Sequence, residues 1–214
     1  MSPMSTTKPK ARRTQAERSE ETRARILEAA VNELKHKGYA GFRVNEVAVS
    51  AKVSRGAQTH HFPTKESLVL GAVRSLYDES FARSMKLIDS LKPGEDVFEA
   101  LMRDSETFYL GPNFRISVTM LSQGDHEPTL RRQIRIISRH RRIPVESAWL
   151  DALIRWGLPD EHARTLLYIT QSVFRGMVMR RFLRNDPEYT RFTVAQWRKL
   201  AQAQIALHLK PTAG

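Results

Sequence analysis

Residues 43–65 read RVNEVAVSAKVSRGAQTHHFPTK. Val44 and Val47 lie on one face of a short helix, because they are one helical turn apart. Val53 provides an apolar anchor for the turn that follows, and Ser54 has the side chain of a helix N-cap. Two short helices joined by a tight turn make a helix-turn-helix motif. We therefore expect this stretch to form such a motif.

The second helix of this motif has little apolar surface to bury. Phe62, at its end, is its one large apolar residue, so its polar side is available for contact with a partner. Arginine can bond guanine and glutamine can bond adenine in bidentate fashion, and alanine can meet a thymine methyl. We expect Arg55, Gln58 and Ala57 to read bases in a DNA groove, and His60 to reach a base or a phosphate. The alternative for Gln58 is a buried or half-buried polar spacer.

Other polar residues of the stretch suit the phosphate backbone, whose contacts fix register without reading sequence. Gly56 would let the helix approach DNA closely, or it would serve packing. The alternative for Lys65 is a solvated helix cation. The residues we expect at phosphates are Arg43, Ser54, Thr59, His61 and Lys65.

The segments around the motif predict a helical support. Residues 1–15 are basic and nearly free of apolar side chains, which indicates a flexible arm that either follows DNA or is a solvated tail. Thr14 and Glu17 have the spacing of a capping box. The helix that follows should stop at Gly38, which can adopt a left-handed conformation.

The remainder of the chain also predicts helices. Thr64 should cap a long helix that ends near residues 92–94. Pro144 should kink or split a later helix, and Thr193 should cap the last one. Because no long strand-like alternation occurs, we predict an all-α fold of about nine helices: a three-helix DNA-binding domain over 16–65 and a helical body over 66–214.

Composition bounds the functional classes. The 214 residues carry a formal charge of +12 and no cysteine, which excludes disulfide scaffolds and a cysteine nucleophile. Net positive charge favours a polyanionic partner, although a generally basic proteome is the alternative. No apolar run is long enough to span a membrane, and no apolar segment follows the basic N-terminus as in a secretory signal. We expect a cytoplasmic protein.

Metal binding and catalysis are not expected. Adjacent His60 and His61 would point about 100° apart on a helix, so they cannot easily share one ion. The chain shows no nucleophile–base order, metal-ligand spacing or phosphate-binding glycine loop. We therefore predict no metal, no cofactor and no enzymatic activity.

From Arg23 to Val69 the pattern RxxILEAAVNELxxxGYAGFRVNEVAxxAKVSRGAQTHHFPTKESLV resembles the N-terminal domain of the TetR family of bacterial transcriptional regulators. Its most specific part is VSRGAQTHHFPTKESL, from Val53 to Leu68. The resemblance implies a homodimeric repressor whose second motif helix enters the major groove. It also implies a ligand pocket in the C-terminal body and dimerisation through the last two helices.

This chain departs from the family pattern at three places. Arg43 stands where the family often has threonine, so the cap is weaker and a phosphate-seeking cation is gained. Lys52 stands at a turn position where glycine is common. Gln58 and Thr59 replace the usual Leu-Tyr pair, which puts the tyrosine's phosphate contact in doubt.

The C-terminal body offers candidates for an effector pocket and an interface. We expect the dimer to use Val173, Met177, Trp197 and Leu200. Six arginines in residues 131–142 suit a polyanion or an anionic effector, or else a solvated helix face. A largely apolar effector needs apolar walls, and plain core is the alternative for each wall candidate. These candidates are Phe98, Met102, Phe108, Tyr109, Phe114, Met120, Trp149, Tyr168 and Phe174.

Together these features predict a sequence-specific DNA-binding transcriptional regulator, a repressor released by a small molecule, that binds a palindromic operator in double-stranded DNA as a homodimer. One alternative is a helical ligand-binding protein or enzyme with no specific DNA role. Another is a protein that packages nucleic acid through charge without reading sequence.

Overall fold

The computed structural model describes residues 14–122 and 128–209, so the predicted basic arm lies almost entirely outside the described residues. Within those two ranges the chain forms nine α-helices and no β-strand, which confirms the predicted fold class. The helices are α1 (Gln15–Gly41), α2 (Val44–Ser50), α3 (Arg55–His61), α4 (Lys65–Asp89), α5 (Val97–Tyr109), α6 (Pro112–Ser122), α7 (Pro128–Arg155), α8 (Asp160–Leu183) and α9 (Pro187–His208).

The predicted N-caps are present at the helices that surround the motif. The Thr14 hydroxyl accepts from the Glu17 amide, and the Glu17 carboxylate accepts from the Thr14 amide, which confirms the capping box of α1. The Thr64 hydroxyl accepts from the Ser67 amide at 3.0 Å and begins α4. These side chains satisfy amides that have no partner inside the helix, so they define where α1 and α4 begin.

Three predicted helix boundaries have different outcomes in the structure. Gly38 breaks the helical geometry of α1 with φ 63°, as expected, but the chain then resumes one short helical stretch to Gly41. Pro144 does not split α7, which continues through it. The predicted cap at Thr193 was wrong: Asp186 accepts from the amide of Tyr189, and Pro187 fills the first turn, so α9 begins about two turns earlier.

Helix α4 connects the motif to the helical body. It packs most extensively against α7 and also contacts α1, α5 and α6. Gly71 on α4 allows the close approach of α1 and of the segment after α3. A Cβ atom at position 71 would lie 2.8 Å from Phe62 Cε1 and 3.0 Å from Leu27 Cδ2. The position of the motif is therefore set by packing against the first turns of α4.

Candidate nucleic-acid interface

A tight turn between α2 and α3 sets the angle of the motif. The amide of Val53 donates to the carbonyl of Ala48, and the amide of Lys52 donates to the carbonyl of Val49. This pair of hydrogen bonds is the Schellman motif, in which the residue after the C-cap is left-handed. That residue is Lys52, with φ 55°, the one non-glycine residue with positive φ among those described. The same turn after α7 uses Gly157, so Lys52 occupies a position that favours glycine.

Helix α3 begins as predicted and buries one polar residue. The Ser54 hydroxyl accepts from the amide of Ala57 at 3.1 Å, which confirms the N-cap. Gln58 faces the core and is only 1% exposed. The prediction that Gln58 reads a base was wrong for this conformation, because a side chain buried between α3 and the core cannot reach the edge of a base in a DNA groove. The alternative of a buried polar spacer describes it, with both amide atoms lacking a hydrogen-bond partner among the described residues.

The outer face of α3 presents the remaining candidate readers. Arg55, Gly56, Thr59 and His60 are exposed, whereas Ala57 is half-buried. A Cβ atom at position 56 would find only the Ser54 hydroxyl, at 3.9 Å. Packing within the chain therefore does not require glycine there, and close approach to DNA stays the prediction for Gly56.

Two predicted phosphate contacts lie at the rims of the motif. Arg43 is exposed at the start of α2 and makes no capping hydrogen bond through its side chain. Lys65 is half-buried. Its Nζ donates to the backbone carbonyl of Tyr39 at 3.1 Å and lies 4.5 Å from the centroid of the Tyr39 ring. Lys65 is therefore not a solvated cation, and it joins the start of α4 to the end of α1. The ammonium has two further N–H donors for a phosphate.

His60 and His61 lie edge to face, with ring centroids 5.6 Å apart, and His61 is half-buried. Residues 14–122 and 128–209 contain no group of three or more histidine, aspartate or glutamate side chains placed to hold a metal ion. The roles that the sequence predicts for the two histidines, contact with a groove edge or a phosphate, stay predictions.

Comparison with known proteins agrees with this motif. The profile of bacterial regulatory proteins of the tetR family matches residues 26–72, which include the whole helix-turn-helix unit. The HTH-type transcriptional regulator CymR of Pseudomonas putida is 40% identical over 177 residues, which cover 83% of this chain and 87% of CymR. This chain belongs to the TetR family of transcriptional regulators.

Two solved structures share the fold. The multidrug binding protein EbrR, solved with imidazole, is 25% identical with a TM-score of 0.53, over 82% of this chain and 93% of EbrR. A TetR-family regulator from Cytophaga hutchinsonii is 12% identical with a TM-score of 0.66, over 92% of this chain and 98% of its own. The second likeness concerns the fold alone, since its identity is low.

The predicted pocket residues of this TetR-family chain separate into groups. Phe108, Tyr109 and Phe114 line one cavity of about 260 Å³, and Met120 lines another of about 210 Å³. The assignment of Tyr168 was wrong, since it lies 50% exposed on α8. The remaining four line neither cavity and are fully buried, so for them the structure supports the alternative of plain core; they are Phe98, Met102, Trp149 and Phe174.

The residues predicted for the dimer interface differ in how exposed they are. Met177 is only 2% exposed within the single chain, so its assignment to a dimer interface was wrong. Val173 and Trp197 are half-buried, and the indole of Trp197 donates to the hydroxyl of Thr170 at 3.0 Å. Leu200 is 63% exposed on α9, so it is the predicted interface residue with the most free apolar surface.

The arginine-rich segment 131–142 does not act as one surface. Arg141 pairs with Asp78 of α4 and lies over Phe81. Arg142 stacks on Phe108 in the 260 Å³ cavity. Arg132, Arg135 and Arg139 are exposed. The segment is therefore partly a solvated helix face, as one alternative proposed, and partly the wall of a cavity.

No helix within the described ranges has the length and apolar character needed to cross a bilayer.

Proposed function

We propose that this TetR-family chain is a homodimeric repressor that binds a palindromic DNA operator and leaves it when a small molecule binds the helical body. The observation that supports this most directly is the exposed face of α3, with Arg55, Gly56 and His60 turned outward from a helix whose other side is buried. Residues 16–65 act as the DNA-binding domain and residues 66–214 as the effector and dimerisation domain. The protein acts by binding rather than by catalysis, and it does so in the cytoplasm.

Dimerisation through α8 and α9 is supported by the apolar side chains that these helices leave uncovered. Large apolar side chains this exposed on neighbouring helices are typical of an interaction surface. Two motif copies in a dimer should sit about 34–36 Å apart, one turn of DNA. The exposed apolar residues of the two helices are Tyr168, Ile169, Met179, Phe182, Leu183, Tyr189, Phe192, Leu200 and Leu207.

Release by a ligand is supported by where the cavities lie. Tyr77 of α4 lines the 260 Å³ cavity, and α4 begins beside the motif. A ligand in this cavity would change the spacing of the two motifs by moving α4, provided it binds one spacing better than the other. That the relative EbrR was solved with imidazole and with malachite green supports a small-molecule site in the helical body.

Selection of bound genomic fragments with the purified full chain tests the proposal. We expect one palindromic sequence, bound at least about a thousandfold more tightly than random DNA of equal length. Affinity should fall steeply with salt through counterion release. A specific-to-nonspecific ratio near one would contradict the proposal and favour packaging by charge alone.

The oligomeric state is tested independently of DNA. Light scattering of the eluting protein should give twice the chain mass of 24.6 kDa. Leu200→Glu should shift the mass towards one chain, because a carboxylate would be buried without a partner in the interface. Gln202→Glu, which is exposed on the same helix turn, adds the same single negative charge and is the matched control. A wild-type protein that elutes as a monomer would contradict dimerisation.

A further inference from the structure

The 260 Å³ cavity combines aromatic walls with an excess of positive charge. Tyr77, Phe108, Tyr109 and Phe114 supply the rings. Neighbouring ring centroids lie 4.8 to 6.2 Å apart, which is the spacing of packed aromatic pairs. Its volume of about 260 Å³ lies below the range of about 300–1,000 Å³ that is typical of sites for drug-sized ligands. Its size therefore suits a ligand with a single ring rather than a large one.

The charges around this cavity do not balance. Three arginines line it, Arg139, Arg142 and Arg175, and Glu146 is the one carboxylate among the described residues of its wall. Glu146 lies 3.5 Å from Arg175. Arg175 also donates to the Gln171 side chain at 2.8 Å and to the Tyr109 hydroxyl at 3.3 Å. Arg175 is therefore engaged within the protein, and the charges of Arg139 and Arg142 have no carboxylate in the wall to balance them.

Arg142 is held in place by aromatic rings, but one of its N–H groups lacks a hydrogen-bond acceptor. Its guanidinium carbon lies 3.9 Å from the Phe108 ring centroid and 5.7 Å from that of Tyr109. Its Nη1 is buried with no hydrogen-bond acceptor among the described residues. A buried N–H without an acceptor is costly, more so on a charged group. An oxyanion would supply the missing acceptor, and the planar fork of a guanidinium matches a carboxylate in bidentate fashion.

We propose that this cavity binds a small aromatic carboxylate, with its ring against the wall that the four aromatic side chains form and its carboxylate on Arg142. This ligand is amphipathic, not largely apolar as composition alone predicts. Its assignment as the effector class rests on the proposed function. Because Tyr77 belongs to α4 and Arg142 to α7, the ligand contacts both helices of the pair that packs most extensively among the described residues.

Calorimetric titration of the full chain with benzoate and with benzamide tests the proposal. The two probes have the same shape, but benzamide lacks the charge. We expect benzoate to bind once per chain and at least about tenfold more tightly, the factor that corresponds to the lower end of a charged hydrogen bond. Equal affinities, or binding of benzamide alone, would overturn the proposal, and so would the absence of benzoate binding at millimolar concentration.

Substitutions of Arg142 test whether the carboxylate of the ligand binds this side chain. Arg142→Met should lower benzoate affinity about tenfold or more, and Arg142→Lys should lower it less, because lysine keeps the charge but not the fork. Arg132→Met, exposed on the same helix outside the cavity, is the matched control and should bind benzoate as the wild type does. Thermal unfolding establishes that each variant is folded. Unchanged benzoate affinity in a folded Arg142→Met protein would overturn the assignment of Arg142.

Operator binding separates this proposal from the one on which it rests. Benzoate should weaken binding of the selected operator in wild type and not in Arg142→Met. Benzoate binding that leaves operator affinity unchanged would overturn its assignment as the effector class. Absence of any specific operator would contradict the proposed function alone, because the calorimetric comparison of the two probes needs no DNA.

Discussion

The indole of Trp149 donates to Asp104 Oδ2 at 2.8 Å, and both residues are buried at the centre of the helical body. The hydroxyl of Ser84 donates to the other carboxylate oxygen, Oδ1, at 2.7 Å. The carboxylate thereby links α4, α5 and α7 through polar contacts inside an apolar core. Because an unmade buried hydrogen bond costs more than a made one contributes, Asp104 should stabilise the packing of these three helices.

Replacing Asp104 separates its hydrogen bonds from its charge. Asp104→Ala leaves the donors of Trp149 and Ser84 without an acceptor and should lower the free energy of unfolding by about 2–4 kcal/mol. Asp104→Asn should stay within about 1 kcal/mol of wild type, since its oxygen accepts from the indole while its amino group donates to the Ser84 hydroxyl. Chemical denaturation measures both. Equal losses in the two variants would show that the negative charge, not the hydrogen bonds, is needed.

Gln58→Met should stabilise the protein. The side chains have similar length, and methionine removes a buried amide whose two polar atoms lack partners. The expected gain is about 1–3 kcal/mol in the free energy of unfolding, measured by denaturation. Operator affinity should change less than about threefold. A loss of specific binding in a stable Gln58→Met protein would mean that this residue turns outward on DNA.

Gly56→Ala should move stability and DNA binding in opposite directions. Alanine favours a helix over glycine by about 1 kcal/mol, and the added Cβ has space within the chain, so the melting temperature should rise. The same methyl group would meet the DNA, so operator affinity should fall about tenfold. If affinity and stability both rose, close approach to DNA would not be the reason for this glycine.

Gly71→Ala should destabilise the packing of the motif against α4. The new Cβ would lie 2.8 Å from Phe62, which forces a shift, and overpacking of this kind costs about 1–3 kcal/mol. Since Phe62 directly follows α3, operator affinity should fall as well. Adding Phe62→Leu shortens the obstructing side chain and should restore part of the stability. A double variant less stable than the sum of both single changes would contradict a steric cause.

Arg55 and Arg43 should affect DNA binding in different ways. Arg55→Ala should cost about 1–3 kcal/mol and relax preference at one base pair per half-site. Arg43→Ala should weaken binding to all sequences alike. It should also reduce the slope of log affinity against log salt by about one for each phosphate that the arginine neutralises in the wild type. Competition titrations over a salt series measure both. An Arg55→Ala protein with full affinity and selectivity would remove Arg55 from the readers.

Local chemistry determined much of this molecule in advance. The caps at Thr14, Ser54 and Thr64 were predictable because a hydroxyl satisfies amides only two or three residues away. The order of the helices followed from apolar spacing, which depends on the period of the helix alone. The glycine-favouring turn position at Lys52 followed from the resemblance to the TetR family, and its φ of 55° required the structure.

Tertiary packing decided the rest, because burial depends on which elements meet. Gln58 has the chemistry of a base reader, and only the packing of α3 against the core shows that it faces inward. Tyr168 and Phe108 are both aromatic residues on helices, yet one is exposed and the other lines a cavity. Residues 131–142 contain six arginines, but which arginine turns inward depends on α4 and α5 beside them. The motif of this regulator was therefore readable from its sequence, whereas the chemistry of its cavity depended on contacts between distant helices.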